Sequence, residues 1–438
     1  MTRLLPTTLA PACQHGGEGF SPPMQQCLHL LIVDCRRGAA LATRYGSRWL
    51  LPLLSCPERV RVDSSIARWT SEQGICGEVA GHWLGRTTSG ADSMDWLVAI
   101  PARPGSCAAN PDLVWTPLDA LRSDTSLLEY QHWAVATALQ GGALPTVRGP
   151  FGNLTWLAEV KAWIRASVGD WDPTSITPYR VTAHEVVLSA RTSRGTVYFK
   201  GLASDRAVEA RLTQMLSARM PDTFARTLAL EAKPDSSVWW LAAECSGHTM
   251  RRCPPGMAAS NVPRALARVQ RSVMASAPVL RELREVDLAS AAAWAAGLLS
   301  DGISRAAIAR ACDEAGNADV PQSWIPLDLD PGNVLVDDSG GVRFIDLDDS
   351  FVGPAPLAMA DFARQCRHGS AYGAYEDAWS PALKGVSWPG FELASAVLEA
   401  WLGWKRVERN TYRGEVYGVS DLAAGRLAKR LAAVIHRL

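Results

Sequence analysis

Lysine is scarce in this chain. Six residues of 438 are lysine and none falls in the first 160, against 38 arginines among 44 cations. Those cations are matched by 44 carboxylates, so the formal charge is zero with histidine neutral. Residues 1–150 balance as well, with 12 Arg against 12 Asp and Glu. The balance removes the usual warrant for a broad nucleic-acid-binding or polybasic membrane surface, so neither partner is expected. No run of about 18 apolar residues occurs, so no membrane span is expected. The N-terminal MTRLLPTTLAPAC has a short apolar stretch broken by Pro6, a poor secretory signal. The ten cysteines are scattered without C-x2-C spacing, which argues against zinc and a disulfide framework and for reduced thiols in a cytoplasmic protein. His184-Glu185 lacks the second histidine of H-E-x-x-H, and neither G-x-G-x-x-G nor a Walker A loop is present.

With 47% hydrophobic and 20% charged residues, the chain is an ordinary globular one, long enough for two or three domains. Residues 1–24, rich in Pro, Gly and Thr, read as a loose terminus. Residues 25–148 read as a mixed α/β unit, with strands at 28–36, 39–44, 48–54, 95–101 and 113–115 and helices at 64–73 and 126–139. Gly74 stops the first helix, and the Gly/Pro-rich stretch 141–152 marks a boundary. Residues 149–248 open with a helix at 156–168 striped by Trp156, Val160, Trp163 and Ile164, and continue as a β-rich block. Its strands fall at 179–182, 186–191, 196–200, 226–231 and 238–244, with a helix at 205–220. Residues 249–438 are mainly helical, interrupted once at 324–349.

That interruption reads WIPLDLDPGNVLVDDSGGVRFIDLDD. Val334 to Val336 and Val342 to Ile345 are short apolar runs around Asp337-Asp338-Ser339-Gly340-Gly341, and should pair as a hairpin. Asn333 precedes the first strand and Asp346 follows the second, so both lie at the open end. Asp328 lies five residues before Asn333, so three oxygen-bearing side chains can converge. Hard cations such as Mg2+ take oxygen ligands, and metal-assisted phosphoryl transfer needs such a set. Turn-forming Asp and Asn in a loop-rich segment are the ordinary alternative.

The segment LDLDPGNVLVDDSGGVRFIDLDD resembles the catalytic region of the aminoglycoside phosphotransferase and choline kinase superfamily, which has a protein-kinase-like fold. The family pattern is H-G-D-x-H-x-x-N, a hairpin, then I-D-[WFL]-[DE]. The resemblance implies Asp328 as the catalytic residue and Asn333 and Asp346 as Mg2+ ligands. Asp348 would be the second acid, and Asp361 the helix residue bracing the loop. Pro326, Leu327 and Asp330 stand where the family has His, Gly and His; Asp330 puts a second carboxylate beside Asp328. Upstream, such a fold implies a strand lysine that binds phosphates and a helix glutamate that holds it. Lys200 ends GTVYFK and Glu209 borders the apolar stripe of the next helix. With lysine at about one position in seventy, Lys200 is the strongest independent support. Glu244-Cys245-Ser246-Gly247 would be the hinge against adenine, and Ala183-His184-Glu185 the loop over the phosphates.

The implied whole is an α+β chain with a bilobal kinase-like fold, a β-rich N-lobe and a helical C-lobe; ahead of it, RWLLP, EQGI at 72–75 and VWTPLDAL at 114–121 resemble a degenerate Nudix-like domain, an unrelated α+β domain being the alternative. Of the Nudix-box acids only Glu72 survives; Ser71, Arg68 and Arg59 fill other acidic positions, so no Mg2+-pyrophosphatase site is expected there. The implied activity is ATP- and Mg2+-dependent phosphoryl transfer to a hydroxyl of a small molecule, an antibiotic or other secondary metabolite. A non-catalytic nucleotide-binding pseudokinase and a protein kinase are the alternatives. Trp379, Trp388, Trp401 and Trp404 read as core, and Glu376, Asp377, Glu392 and Glu399 as solvated faces of the acceptor-binding helices.

Overall fold

A computed structural model describes residues 25–34, 37–57, 62–75, 82–90, 93–102, 108–124, 135, 156–172, 175–181, 185–252, 255–274, 277–299, 302–366, 371–412, 427 and 431–435. The loose terminus, the 141–152 boundary and, apart from Val135, the 126–139 helix lie outside the described residues.

The first unit is a seven-stranded mixed sheet. Gln25–Asp34 is its centre, parallel to Ser93–Pro101 on one side and antiparallel to Ala39–Tyr45 and Leu53–Pro57 on the other. Leu28, Leu30, Leu31 and Ile32 are all fully buried, as expected of a strand covered on both faces. The 48–54 strand divides into Arg48–Leu50 and Leu53–Pro57, since Pro52 cannot donate in the ladder. Strand His82–Gly90 was not legible in HWLGRTTSG, which has no clear alternation. The helix Val62–Glu72 ends before Gly74, whose φ of +66° suits glycine. The mixed α/β character is present; Glu72 lies exposed at the helix end, and the Nudix likeness stays an expectation of the sequence.

The second unit is a five-stranded antiparallel sheet. Its order is Thr227–Ala232, Val238–Ala243, Gly195–Leu202, Glu185–Thr192, Thr177–Val181. Helix Trp156–Val168 covers one face, burying Trp156, Leu157, Val160 and Ile164 against Leu188, Val197, Phe199 and Leu241. Trp163, Phe199 and Trp239 meet edge-to-face there, 5.7–5.9 Å apart, a favoured aromatic geometry. Strand side chains alternate, so Phe199 on that face puts Lys200 on the other, towards helix Val208–Arg219.

The third unit is helical around two small sheets. Helix Pro255–Met274 packs on Ala371–Trp379, and the long helix Trp388–Tyr412 lies against Leu288–Leu298, Gly302–Asn317 and Pro356–Cys366. The interruption is wider than 324–349. Gln322–Pro326 pairs antiparallel with Ser350–Pro354, which also takes Arg284–Glu285. Gly353 makes the crossing possible: a Cβ there would meet Val286 Cγ2 at 2.5 Å. Among the described residues no helix is long and apolar enough to cross a membrane.

Candidate functional site

The expected hairpin forms, Val334–Val336 against Val342–Phe344, with Val334 opposite Phe344 and Val336 opposite Val342. Asp337 ties the turn by accepting from Ser339 N, Ser339 Oγ and Gly341 N at 3.0, 2.6 and 2.8 Å. The open end closes through Ile345 N to Asn333 O at 3.0 Å, so Asn333 and Asp346 flank one spot. Asn333 Nδ2 donates to Asp328 O at 3.0 Å, fixing the third residue's backbone. Asp346 has φ +61°, a left-handed conformation that aspartate tolerates better than most residues.

Lys200 is buried, not a solvated strand end, and its Nζ lies 2.8 Å from both Glu209 oxygens. It also pairs with Asp346 Oδ1 and lies 3.6 Å from Glu185 Oε1. Burial opposes the ammonium, but Asp346, Glu209 and Glu185 together raise its pKa well above the ordinary lysine value. Burial pushes Glu209 up to about 8 against the pull of Lys200. Asp346 moves the other way, held below the usual carboxylate range mainly by Lys200.

Consecutive residues after the hairpin are grasped in turn. Lys200 pairs with Asp346, Leu347 N donates to Glu209 Oε1 at 3.2 Å, and Arg206 Nη1 lies 3.5 Å from Asp348 Oδ2. These contacts fix the loop to the sheet.

The departures from the family pattern at residues 326–330 have structural counterparts. Pro326 is the last rung of its strand, opposite Ser350, and Leu327 N continues to Asp349 O at 3.0 Å. Asp330 pairs with Arg251 and accepts from Gly332 N at 2.6 Å. Asp328, two residues earlier, lies beside Asn333 through its backbone carbonyl. Asp361 is fully buried, yet its hydrogen bonds run to Arg364 and Gln365 on its own helix, not to the loop; the expected bracing is not what the geometry shows.

Glu244 lies exposed after the last sheet strand, its amide donating to Thr196 O at 3.1 Å and its Oε1 3.5 Å from Tyr198 Oη. Glu185 is the first residue of a strand rather than of a loop; Ala183 and His184 lie outside the described residues. In the C-terminal helices Trp379 is core, and Trp404 stacks on Trp294 at 6.3 Å. Three acids are not simply solvated. Glu376 accepts from Trp388 Nε1 at 2.6 Å, Glu392 from Tyr372, and Glu399 from Arg364 at 2.6 Å, because aromatic and cationic donors on neighbouring helices reach them. Arg180, Arg206 and Arg251 were not singled out in the sequence, where 38 arginines give no position prominence.

A β-sheet lobe covered by one helix and paired through a strand lysine to Glu209 of a second, beside a helical lobe carrying a loop-and-hairpin acid set, defines a bilobal kinase-like fold. No protein-family model and no curated protein sequence matches the chain. Solved structures resemble it. Choline kinase LicA from Streptococcus pneumoniae is 12% identical at a TM-score of 0.45, covering 63% of this chain and 98% of its own. Macrolide 2'-phosphotransferase MphH from Brachybacterium faecium is 16% identical at 0.42, covering 63% and 97%. A spectinomycin phosphotransferase in complex with ADP and spectinomycin is 10% identical at 0.44, covering 64% and 98%. At these scores the likenesses establish neither family nor activity, and the functional reading rests on the geometry of this chain.

Proposed function

We propose that the chain is an ATP-dependent phosphotransferase that moves the γ-phosphoryl group to a hydroxyl of a small molecule. One observation carries the reading: a buried lysine joins the sheet lobe's Glu209 to Asp346 at the open end of the hairpin. Burying a lysine is costly unless its charge is used, and a surface ion pair would not require it.

In this reading Lys200 meets the α- and β-phosphates while Glu209 holds it in place. The backbone at Glu244 to Ser246 faces the adenine edge. Asn333 and Asp346 present amide and carboxylate oxygens only, a donor set that fits Mg2+, which when bound would neutralise phosphate charge. Asp328 orients the acceptor hydroxyl and receives its proton as the oxygen attacks. Asp348, with Arg206, keeps the metal-ligand segment against the sheet.

The test is an acceptor screen read by the mass gain of one phosphoryl group. Asp328→Ala and Asp346→Ala are each expected to lower turnover by about three orders of magnitude. Full turnover in both variants sinks the proposal. ATP binding without transfer to any small molecule assigns the chain to the non-catalytic alternative, and labelling of protein only assigns it to a protein kinase.

A further inference from the structure

Three cations meet on one buried carboxylate that the proposed chemistry does not use. The sheet register explains why. Arg180 and Lys200 both stand opposite Val187, on its two sides, and Glu185 lies two residues along the same strand. Alternation therefore puts Arg180, Glu185 and Lys200 on one face, the face turned to the hairpin. Arg206 arrives from the turn Ser204–Arg206 just before helix Val208–Arg219.

Glu185 divides its oxygens between them. Oε1 lies 3.6 Å from Lys200 Nζ; Oε2 lies 3.3 Å from Arg180 Nη1 and also accepts from Arg206 Nη1. The Glu185 side chain is 3% exposed, whereas that of Arg180 is 51% exposed. Burial would raise the Glu185 carboxyl, but Lys200, Arg180 and Arg206 outweigh it and hold it below the ordinary range. The charge count gives the cluster a purpose. Lys200 alone, among Glu185, Glu209, Asp346 and Asp348, offers a polyanion little attraction; two guanidiniums cut a negative excess of three to one, three cations against four carboxylates. Three cations packed together repel one another unless an anion holds them.

Building on the phosphotransferase reading, we propose that Glu185 is a positioning residue that gathers Arg180, Lys200 and Arg206 into one receptacle for the phosphates of a nucleoside triphosphate, with the exposed Arg180 as the mobile contact. The arginines suit this role because a guanidinium presents several donors in a fixed fork to phosphate oxygens.

The test is calorimetric titration of the full chain with ATP and with adenosine, in the presence of Mg2+. Glu185→Gln is expected to weaken ATP about tenfold, the scale of one lost charge-assisted contact, and to leave adenosine within about twofold. Arg180→Met, at an exposed position that does not threaten folding, is expected to shift ATP in the same direction, again without moving adenosine. Glu185→Asp is expected to recover part of the loss. Unchanged ATP affinity in Glu185→Gln and Arg180→Met overturns the proposal, and so does an equal loss for adenosine, which would mark a merely structural acid. If Glu185→Gln does not fold, Arg180→Met decides. A wild-type chain that binds no nucleotide overturns the phosphotransferase reading and this inference with it; normal wild-type binding with indifferent variants overturns this inference alone.

Discussion

Replacing Gln270 with leucine should unseat the strand Gln322–Pro326, which leads into the loop carrying Asp328. Gln270 is fully buried on helix Pro255–Met274; its Nε2 donates to Trp324 O at 2.9 Å and Ala355 O at 3.1 Å, and its Oε1 accepts from Tyr375 Oη. In Gln270→Leu, Tyr375 Oη still reaches Ala355 O at 2.9 Å, but Trp324 O loses this donor inside the core. An orphaned buried carbonyl costs about 1–3 kcal/mol, and each further lost bond about 0.5–1.5 kcal/mol. Leucine regains some apolar contact, leaving a net loss of about 2–4 kcal/mol. A chain of several units need not melt in one step, so the assay is scanning calorimetry, following the transition of the helical lobe. At about 2–4 °C per kcal/mol for a unit of this size, the shift should be roughly 5–15 °C downward. Gln270→Glu should be worse, because a carboxylate would then face two carbonyl oxygens without a cation. A leucine variant melting within about 1 °C of wild type, or a glutamate variant no worse than leucine, would refute the reasoning.

Gly247 has φ +111°, and a Cβ there would lie 3.0 Å from the carbonyl carbon and oxygen of Val336. Gly247→Ala should therefore cost about 1–3 kcal/mol and raise the KM for ATP, since His248–Thr249 pairs with the hairpin through Val336; wild-type melting and KM would contradict this. Hydrogen bonds from Ser339, then the Gly341 amide, lower the Asp337 pKa from 3.8 to about 2. A depressed carboxyl contributes stability that is present above its ordinary value and lost as pH falls through its folded one. The melting-temperature gap between wild type and Asp337→Asn should thus be full at about pH 5 and close towards about pH 2; a gap independent of pH would show that Asp337 acts through shape alone.

The elements with strong local signals were legible without a structure. The stripe of Trp156, Val160, Trp163 and Ile164 marks helix Trp156–Val168 to the residue, and two short apolar runs around a Gly-containing turn mark the hairpin. The missed strands carry no comparable periodicity: His82–Gly90 is rich in Gly and Thr, and Ser350–Pro354 holds its place through pairing with Gln322–Pro326. The position of Asp361 in the family pattern implies a bracing role, but which group a buried carboxylate bonds depends on its neighbours in space, here Arg364 and Gln365.

Lysine and arginine mark the division most plainly. The resemblance asks for a lysine late in a strand with a glutamate on the next helix, and with six lysines in the chain a chance match at Lys200 is rare. Abundance concealed Arg206, Arg180 and Arg251 among 38 arginines, and nothing in their local sequence separates them from surface charges. Only the tertiary structure decided that Arg251 occupies Asp330 and that Arg180 and Arg206 converge on Glu185 beside Lys200. The physical reason is distance. Hydrophobic period and turn chemistry act within a few residues and are written along the chain, whereas Coulomb contacts act across space and exist only once strand register and helix packing have set which charges meet.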